Sequence, residues 1–339
     1  MARTLDEIAR MAGVSRSTVS RVVNNHPSVS PETRAKVEAA VERSGYRPHG
    51  IARSLATRRT HILAMIVPES VTKLFTDPYF PLMLRGATEA CNRAGYQLLL
   101  SLFTVSMDSG ILRDRVLRSG YLEGVIAANA SLSDELVPSL LEERIPFLTV
   151  GRHPDDRVNY VDVDNIGGGR MATEHLIRLG HTKIATITGP QDMTPAQDRF
   201  EGYRETMEMH RLPVSEGLVA EGDFTEAGGR AAMTRLLAEG PTAVFAASDS
   251  MAIGAIRAIR AAGLDVPKDV AVVGFDDIPS ALTVDPELTT VRQPIERLGH
   301  LAVEILIQRF DEQEDDRATS IQRVVLPTEL IVRKSCGSR

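Results

Sequence analysis

The sequence predicts a protein of the α/β class, in which a small all-α head precedes a body of two similar lobes. Two observations predict this. The first sixty residues repeat helix-start signals and apolar residues at i, i+3, i+4 spacing, whereas from His61 short apolar runs alternate with helical stretches. Such alternation is typical of doubly wound parallel sheets with helices on both faces. A chain of 339 residues has room for two or three domains of ~100–200 residues.

Composition excludes several classes of protein. Apolar residues make up 43% and charged residues 25% of the chain, an ordinary globular mixture. No apolar run approaches the ~18 residues of a membrane span, and the N-terminus lacks an apolar signal core, so we expect neither membrane association nor secretion. The two cysteines, Cys91 and Cys336, match no metal or redox spacing. This favours a reducing cytoplasm.

The net charge of −6 conceals an asymmetry along the chain. Residues 1–60 contain eleven Lys and Arg against five Asp and Glu, a balance of +6. The remainder contains 28 against 40, a balance of −12. A basic head on an acidic body suggests a nucleic-acid-binding module fused to another function, although a basic segment is often only a solvated surface.

The head begins with the pattern of a capped helix. Thr4 and Glu7 have the spacing of a capping box, and a helix through Met11 would place Leu5, Ile8 and Ala9 on one face. Gly13 then permits a tight reversal of the chain.

Two further helices follow in the head. Ser15 can cap a second helix that runs to about Asn24, and Ser30-Pro31 starts a third that ends before Gly45. The second helix has an inward stripe formed by Val19, Val22 and Val23 and an outward side formed by Arg16, Ser17, Ser20 and Arg21. The third helix can close a small core with Val37, Ala40 and Val41.

This arrangement is a helix-turn-helix with a third helix as a buttress. In that geometry the second helix enters the major groove of DNA and its first turn meets base edges. Arg16, Ser17 and Arg21 are the candidates for this contact, since arginine can donate two parallel hydrogen bonds to guanine. The alternative is a surface helix with solvated arginines.

Four segments of the head resemble the LacI/GalR family of bacterial transcription regulators. They are TLDEIARMAGVSRSTVSRVVN at 4–24, VSPETR at 29–34, GYRP at 45–48 and ARSLA at 52–56. The resemblance implies a DNA-binding domain at 1–48 and, at 49–60, a hinge helix that folds when two copies meet over the minor groove. In that hinge helix Leu55 would insert between two neighbouring base pairs from the minor groove. The alternative is that Leu55 is an ordinary buried residue of a linker. The DNA-binding residues implied are Thr4, Ser15, Arg16, Ser17, Ser20, Arg21, Asn24, Ala52, Leu55 and Ala56.

Residues 61–339 are predicted to form the body. Strands are expected at 62–67, 96–101, 124–128, 147–150, 160–163, 183–188, 243–246 and 270–275. Helices are expected at 81–93, 108–119, 134–143, 167–179, 196–210, 225–238 and 251–262. Ligands of such folds bind at the carboxyl ends of the strands.

The body resembles the periplasmic-binding-protein-like fold with which this family senses small molecules. The matching segments include VDVDN at 161–165, RFEGY at 199–203, ASD at 247–249, VGFDD at 273–277 and LTTVRQP at 288–294. By this likeness the chain passes between lobes near Asp164, Val291 and Val325. The first lobe would comprise about 61–163 plus 293–324, and the second 164–291 plus 325–339.

The same resemblance implies an effector site between the lobes, formed by Tyr79, Phe80, Arg199, Ser248, Asp249, Asp276 and Gln293. This set suits a sugar, because Asp, Gln and Arg can bond paired hydroxyls and an aromatic face can stack on a ring. Asp249 and Asp276 have an alternative reading as helix caps after strands.

Catalytic and metal-binding patterns are not evident. Gly167–Gly169 lacks the Lys-Ser/Thr of a phosphate-binding loop, no Gly-x-Ser-x-Gly elbow occurs, and the eight histidines are scattered. We therefore expect no cofactor, no metal and no enzyme activity. The alternatives are a sugar-modifying enzyme with a DNA-binding head and a solute-binding receptor, which would need an export signal.

The sequence thus predicts a cytoplasmic repressor whose affinity for a pseudo-palindromic operator in double-stranded DNA is controlled by a small molecule, with a sugar favoured. A corepressor-type regulator that senses a nucleobase or another metabolite is the alternative. A homodimer is expected because two related heads read mirrored half-sites and no leucine heptad follows the last strand.

Overall fold

The computed structural model describes residues 4–23, 28–45, 59–102, 114, 116–128, 131–311 and 321–338. Contacts between Cα atoms divide the chain into two compact units, Met1–Thr60 and His61–Arg339. The division falls where the sequence changes from short amphipathic helices to alternating apolar runs.

The described residues of the head form three helices: α1 (Leu5–Ala12), α2 (Arg16–Val23) and α3 (Pro31–Ser44). The Thr4 backbone N–H donates to the Glu7 carboxylate at 3.1 Å, as expected at the start of α1. Gly13 ends this helix with a φ of 66°, a left-handed conformation that glycine adopts without strain. The Ser30 hydroxyl accepts the Thr33 N–H at 3.3 Å and caps α3.

The core of the head is the predicted one. Its buried residues are Ile8, Ala9, Val19, Val22, Val37 and Ala40. They come from all three helices, so the inward stripe of each helix meets the other two. This packing fixes which side of α2 is left facing solvent.

Where the structure describes the body, its strands form two six-stranded sheets, which confirms the doubly wound α/β class. The first sheet has the order β11-β5-β4-β3-β1-β2 and is parallel throughout. Its strands are β1 (Ile62–Val67), β2 (Gln97–Leu102), β3 (Gly124–Ala128), β4 (Phe147–Val150), β5 (Tyr160–Val163) and β11 (Arg323–Leu326).

The second sheet has the order β12-β10-β9-β8-β6-β7 and is parallel except for the β10–β12 pair. Its strands are β6 (Ile184–Thr188), β7 (Val219–Glu221), β8 (Ala243–Ala246), β9 (Ala271–Asp276), β10 (Thr289–Arg292) and β12 (Glu329–Ile331). The two sheets define the first and second lobes.

Helices cover the faces of both sheets. They are α4 (Val71–Thr76), α5 (Tyr79–Ala94), α6 (Leu136–Glu143), α7 (Asn165–Arg178), α8 (Thr194–Met209), α9 (Glu226–Leu236), α10 (Asp249–Ala261) and α11 (Ile295–Asp311). The sequence analysis missed the helices α4 and α11 and the strands β7, β10, β11 and β12. The predicted helix at 108–119 lies largely outside the described residues, and its end, Leu117–Ser119, is a 3-10 turn.

The chain passes between the lobes at three places. It leaves β5 at Asp164, whose carboxylate caps α7 by accepting the Gly167 N–H at 2.8 Å. It returns after β10 at Gln293, just beyond the predicted Val291, which still belongs to β10 and pairs with Phe275 in the second sheet. The third passage lies at 327–328, not at Val325 as predicted, because β11 continues in the first sheet through Leu326. The Asp164 N–H donates to the Leu326 carbonyl at 2.9 Å, so the first and third passages run side by side.

Two glycines allow α5 and α11 to pack closely. A Cβ atom at Gly86 would overlap the carbonyl oxygen of Glu296, and one at Gly299 would overlap the carbonyl oxygen of Met83. Neither backbone can retreat without moving a whole helix of the first lobe.

We therefore expect Gly86→Ala to destabilise the first lobe by at least the ~1–3 kcal/mol that overpacking costs. Calorimetric melting of the variant would measure this loss. The matched control is Thr88→Ala on the exposed side of the same helix, which should melt close to the wild type. Equal melting of Gly86→Ala and the control would contradict the close packing.

Candidate functional site

The outward side of α2 forms a polar surface on the head. Val19 and Val22 are buried, which leaves Arg16, Ser17 and Arg21 exposed on the other side of the helix. Within the described part of the chain Arg21 forms no ion pair or hydrogen bond. Its guanidinium therefore remains available to an external acceptor.

The other predicted DNA-binding residues of this surface already have local contacts. The Arg16 Nε atom lies 3.9 Å from the Asp6 carboxylate, but both side chains are mostly exposed, so the pair is weak. The Ser15 hydroxyl caps α2 by accepting the Thr18 N–H at 3.2 Å, and it also lies 2.8 Å from the Ser17 hydroxyl.

The remaining predicted DNA-binding residues divide into two groups. Thr4 is the exposed N-cap residue of α1, and Ser20 is half-buried on α2. The other four, Asn24, Ala52, Leu55 and Ala56, lie outside the described residues.

In the body, polar side chains from both lobes meet around two small cavities. These inner cavities, of about 40 and 50 Å³, share the lining residues Tyr79, Met193, Pro195, Arg199 and Gln293. Typical ligand pockets measure ~300–1,000 Å³. The lobes are therefore closed too tightly here to admit a ligand, and ligand entry requires them to separate.

Arg199 on α8 is the centre of this polar cluster, with 6% of its surface exposed. Its Nε donates to the Asn165 side-chain oxygen at 2.9 Å and its Nη1 to the Ala247 carbonyl at 2.6 Å. The guanidinium carbon lies 3.7 Å from the centre of the Phe275 ring. These contacts hold the cation in one orientation with little freedom.

Asp276 ends β9 beside Arg199. The Arg199 Nη1 atom lies 3.6 Å from the Asp276 carboxylate, which also accepts the Gln293 side-chain amide at 2.5 Å. The backbone φ of Asp276 is 119°, an uncommon value for any residue but glycine. Burial raises the pKa of Asp276 to about 7, and the negative charge of Asp77 adds to it, while Arg199 and the bond from Gln293 oppose the rise.

Asp249 occupies a supporting position behind the site. Ser248, and not Asp249, caps α10, because its hydroxyl accepts the Met251 N–H at 3.2 Å. The fully buried Asp249 carboxylate accepts the Thr290 hydroxyl at 2.5 Å and the Ile278 N–H at 3.0 Å, and it is not among the residues that line the inner cavities. This corrects the predicted effector contact: Asp249 ties α10 to the strands, whereas Ser248 lines the second cavity.

The first lobe contributes an aromatic wall. Tyr79 lines both inner cavities and Phe80 lines the second, with their rings packed edge to face at 5.5 Å. Burial and the nearby Asp276 raise the pKa of Tyr79 well above its usual range. The neutral phenol can therefore both donate and accept a hydrogen bond.

Sequence reasoning missed several residues of this site. Asp162 and Asn165 are buried, and Asn165 donates to Asp162 at 2.9 Å while it accepts from Arg199, so they extend the polar cluster across the first passage. Both belong to the VDVDN segment, which had been read only as a family motif. Arg152 lines the first cavity and forms a two-point ion pair with Asp198 at 2.7 and 3.1 Å. No sequence pattern near either residue predicts this ion pair, because the partners are 46 residues apart.

Phe224 was also missed. It lines the second inner cavity and has a φ of 62°, in the left-handed region that bulky residues rarely adopt. Gly189 makes room for it, since a Cβ atom there would overlap the Phe224 ring. Backbone strain of this kind often marks ligand clamps.

The lobes are also held together at the edge of the first inner cavity, which Leu132 lines. The Ser131 hydroxyl of the first lobe donates to the Asp192 carboxylate of the second at 2.6 Å, and the Leu132 N–H donates to the Asp192 carbonyl at 2.8 Å. These bonds must break or shift when the lobes separate.

Two negative findings hold for the described residues. No group of three or more His, Cys, Asp and Glu could hold a metal ion. No helix among them is both long and apolar enough to cross a membrane.

The raised pKa of Asp276 predicts a pH dependence of stability. An unfolded aspartate titrates near ~3.9, so between about pH 4 and 7 the folded protein binds the extra proton and its free energy of unfolding falls as pH rises. Asp276→Asn removes this dependence. The melting temperature of Asp276→Asn minus that of the wild type should therefore be larger at pH 7 than at pH 5. The increase should correspond to a few kcal/mol at most in the free energy of unfolding.

The control for this experiment is Asp156→Asn, whose carboxyl is 94% exposed and whose effect should not change with pH in the same way. Burial and the charge of Asp276 raise the pKa of Asp249 too, so some pH dependence should persist in Asp276→Asn. A difference in melting temperature that is constant or falls as pH rises would contradict the assignment.

Comparisons with known proteins find matches to both the head and the body. Residues 4–49 match the profile of bacterial regulatory proteins of the lacI family, and residues 173–336 match that of a periplasmic binding protein-like domain. The chain is 42% identical to the HTH-type transcriptional regulator CelR of Thermobifida fusca over 98% of both chains. It is 38% identical to the ribose operon repressor of Escherichia coli strain K12, over 91% of this chain and 93% of that one.

Solved structures give the same result. A complex of the transcriptional regulator CelR with cellobiose has a TM-score of 0.77 at 40% identity and covers 98% of this chain and 99% of its own. The lac repressor dimer bound to operator and an anti-inducer has a TM-score of 0.84 at 28% identity and covers 100% of both chains. The protein is a DNA-binding transcriptional regulator, and the chain belongs to the lacI family of bacterial regulatory proteins.

Proposed function

We propose that the protein is a cytoplasmic repressor that binds a pseudo-palindromic operator as a homodimer and releases or tightens its hold when a sugar binds between its lobes. The observation that carries the proposal is the buried cluster of Arg199, Asp276 and Gln293, which faces the inner cavities from the second lobe and the lobe junction. Opposite it stands the aromatic wall of the first lobe.

The chemistry of this cluster suits a neutral ligand rich in hydroxyl groups. Asp276 and Gln293 can accept and donate to neighbouring hydroxyls, and the Arg199 guanidinium can bridge two oxygens. Tyr79 and Phe224 supply rings on which the apolar face of a sugar can lie. A charged ligand would have to lose its hydration beside a guanidinium that already contacts the Asp276 carboxyl and two neutral oxygen acceptors.

The relatives give the first ligands to test. A CelR structure contains cellobiose, and the ribose operon repressor is named for a pentose. Cellobiose is the stronger candidate because CelR is the more similar over the full length. A nucleobase or another metabolite that acts as a corepressor is the second candidate for the same cleft.

The head and hinge complete the proposal. We assign DNA reading to residues 1–48, with Arg16, Ser17 and Arg21 at base edges, and the hinge to 49–60, with Leu55 in the minor groove. The lac repressor structure contains a dimer on operator DNA, which supports two heads per operator here. Identical heads related by a two-fold axis would read two mirrored half-sites.

Linkage explains how the cleft can control the head. The inner cavities are too small for a sugar, so its binding must favour a different separation of the lobes. If the effector binds one lobe arrangement more tightly than the other by ~1–3 kcal/mol, operator affinity would change about 5–150-fold. The proposal includes no chemical step, and the relatives are regulators.

A panel of sugars and nucleobases tests the effector assignment. A ligand bound only by the native state raises its melting temperature, so cellobiose or another sugar should do so in a thermal-shift assay. Arg199→Ala should lose the shift. A nucleobase that alone produces the shift would replace the sugar, and turnover of a bound sugar on chromatography would favour an enzyme.

A competition binding assay tests the reading helix. Arg21→Ala should lower the preference for operator over random DNA by the ~1–3 kcal/mol of one base contact, or about 5–150-fold. Stability should not change, because Arg21 has no described partner in the protein. Arg43→Ala, an exposed arginine on α3, is the control and should leave the preference intact. A preference retained by Arg21→Ala would contradict the assignment.

A further inference from the structure

A third cavity opens beside the inner cavities at the mouth of the cleft. This outer groove has a volume of about 460 Å³, with Lys73, Thr76 and Asp77 on the first-lobe side. On the second-lobe side it is lined by the start of α9, by Arg257 on α10 and by Thr283. Unlike the inner cavities, it has the size of a typical ligand pocket without any movement of the lobes.

The outer groove is continuous with the second inner cavity. Lys73, Asp77 and Phe224 line both, so the strained Phe224 stands at the junction between them. A ligand anchored by Arg199 and Asp276 could therefore extend past the Phe224 ring into the outer groove. A ligand no larger than one sugar ring would leave that groove empty.

The lining of the outer groove is polar and close to neutral. Arg257 and Glu226 form an ion pair in which both side chains are about half exposed, so their outer atoms remain open to hydroxyl groups. Thr76 and Thr283 add hydroxyls from opposite walls. Balanced charges and hydroxyls favour a neutral ligand with many hydroxyl groups over an ionic one.

Apolar side chains also line the outer groove. Pro78 belongs to the first-lobe side, and Phe224, Ile253 and Val284 belong to the second-lobe side. Sugar rings have apolar faces as well as hydroxyl edges, and a lining of both kinds matches them.

We propose that the effector is an oligosaccharide of at least two units, which extends past Phe224 so that one or more units lie in the outer groove. The proposal rests on the proposed function, since it takes the ligand of the cleft to be a sugar. The inner unit binds the buried polar cluster once the lobes separate, and the outer units select for chain length. Monosaccharides would then bind weakly, because they are too short to contact the outer groove beyond Phe224.

A length series measured by isothermal titration calorimetry on the full chain tests the proposal. The probes are glucose, ribose, the β-1,4-linked cellobiose and cellotriose, and the α-1,4-linked maltose and maltotriose. We expect the dissociation constant to fall at least tenfold from the monosaccharide to the disaccharide or trisaccharide of one linkage. Thr283→Trp, which fills the outer groove, should reverse that gain and leave the weaker monosaccharide binding unchanged.

The control is Thr234→Trp, which places the same bulk on an exposed position of α9 outside the outer groove and should bind as the wild type does. The chain has no natural tryptophan, so each variant carries a single fluorescent reporter. Oligosaccharide should change the emission of the Thr283 variant and not that of the Thr234 variant. If Thr283→Trp does not fold, Thr76→Trp fills the groove from the other wall.

The outcomes separate the two proposals. Binding that does not strengthen with chain length, or a long sugar that binds Thr283→Trp as tightly as the wild type, overturns the extended site and leaves the sugar sensor intact. Failure of every sugar to bind, whatever its length, overturns both.

Discussion

The buried contact between Arg199, Asp276 and Gln293 is the interaction on which the body of this protein depends. It joins a helix and a strand end of the second lobe to the second passage between the lobes. Asn165, at the first passage, bonds the same arginine. Two of the three connections between the lobes therefore meet in one polar cluster, in which Asn165 bonds Arg199 directly and Gln293 reaches it through Asp276. A ligand that binds Arg199 or Asp276 would change the hydrogen bonds of these two connections directly. Its binding can therefore favour one arrangement of the lobes over another.

The head obeys a simpler constraint. Six buried residues from three short helices form its core, and this core leaves one side of α2 open. Helices so short have little stability alone, so their mutual packing decides their orientation. The direction of Arg21 is thus fixed by Val19 and Val22 on the same helix. Reading DNA and sensing a ligand are carried out by separate cores joined through residues 46–58, which lie outside the described chain.

Local patterns predicted the fold well. The capping signal at Thr4, the valines of α2 and the eight predicted strands lie where the sequence placed them, since each depends on near neighbours. The short strands β7, β10, β11 and β12 were not predicted, because three or four residues with a charged one at an end give too little pattern. Helix α11 was missed because its apolar pattern follows directly on a strand and a proline. The passage at Val325 was misplaced by two residues, because nothing local shows which sheet holds β11. The effector site was harder still. Asp249 comes shortly after a strand, as a ligand-contacting aspartate would, so the sequence alone does not separate the two roles. Its supporting role is shown only by its partners Thr290 and Ile278, which are 41 and 29 residues away.

The central claim is that operator and effector act on one equilibrium between lobe arrangements. Reciprocal titration on the full chain tests it most directly: operator affinity with and without saturating effector, and effector affinity with and without operator. Linkage requires the two ratios to be equal, and we predict a common factor between about 5 and 150. Affinities that do not depend on each other would show that the cleft does not control the head.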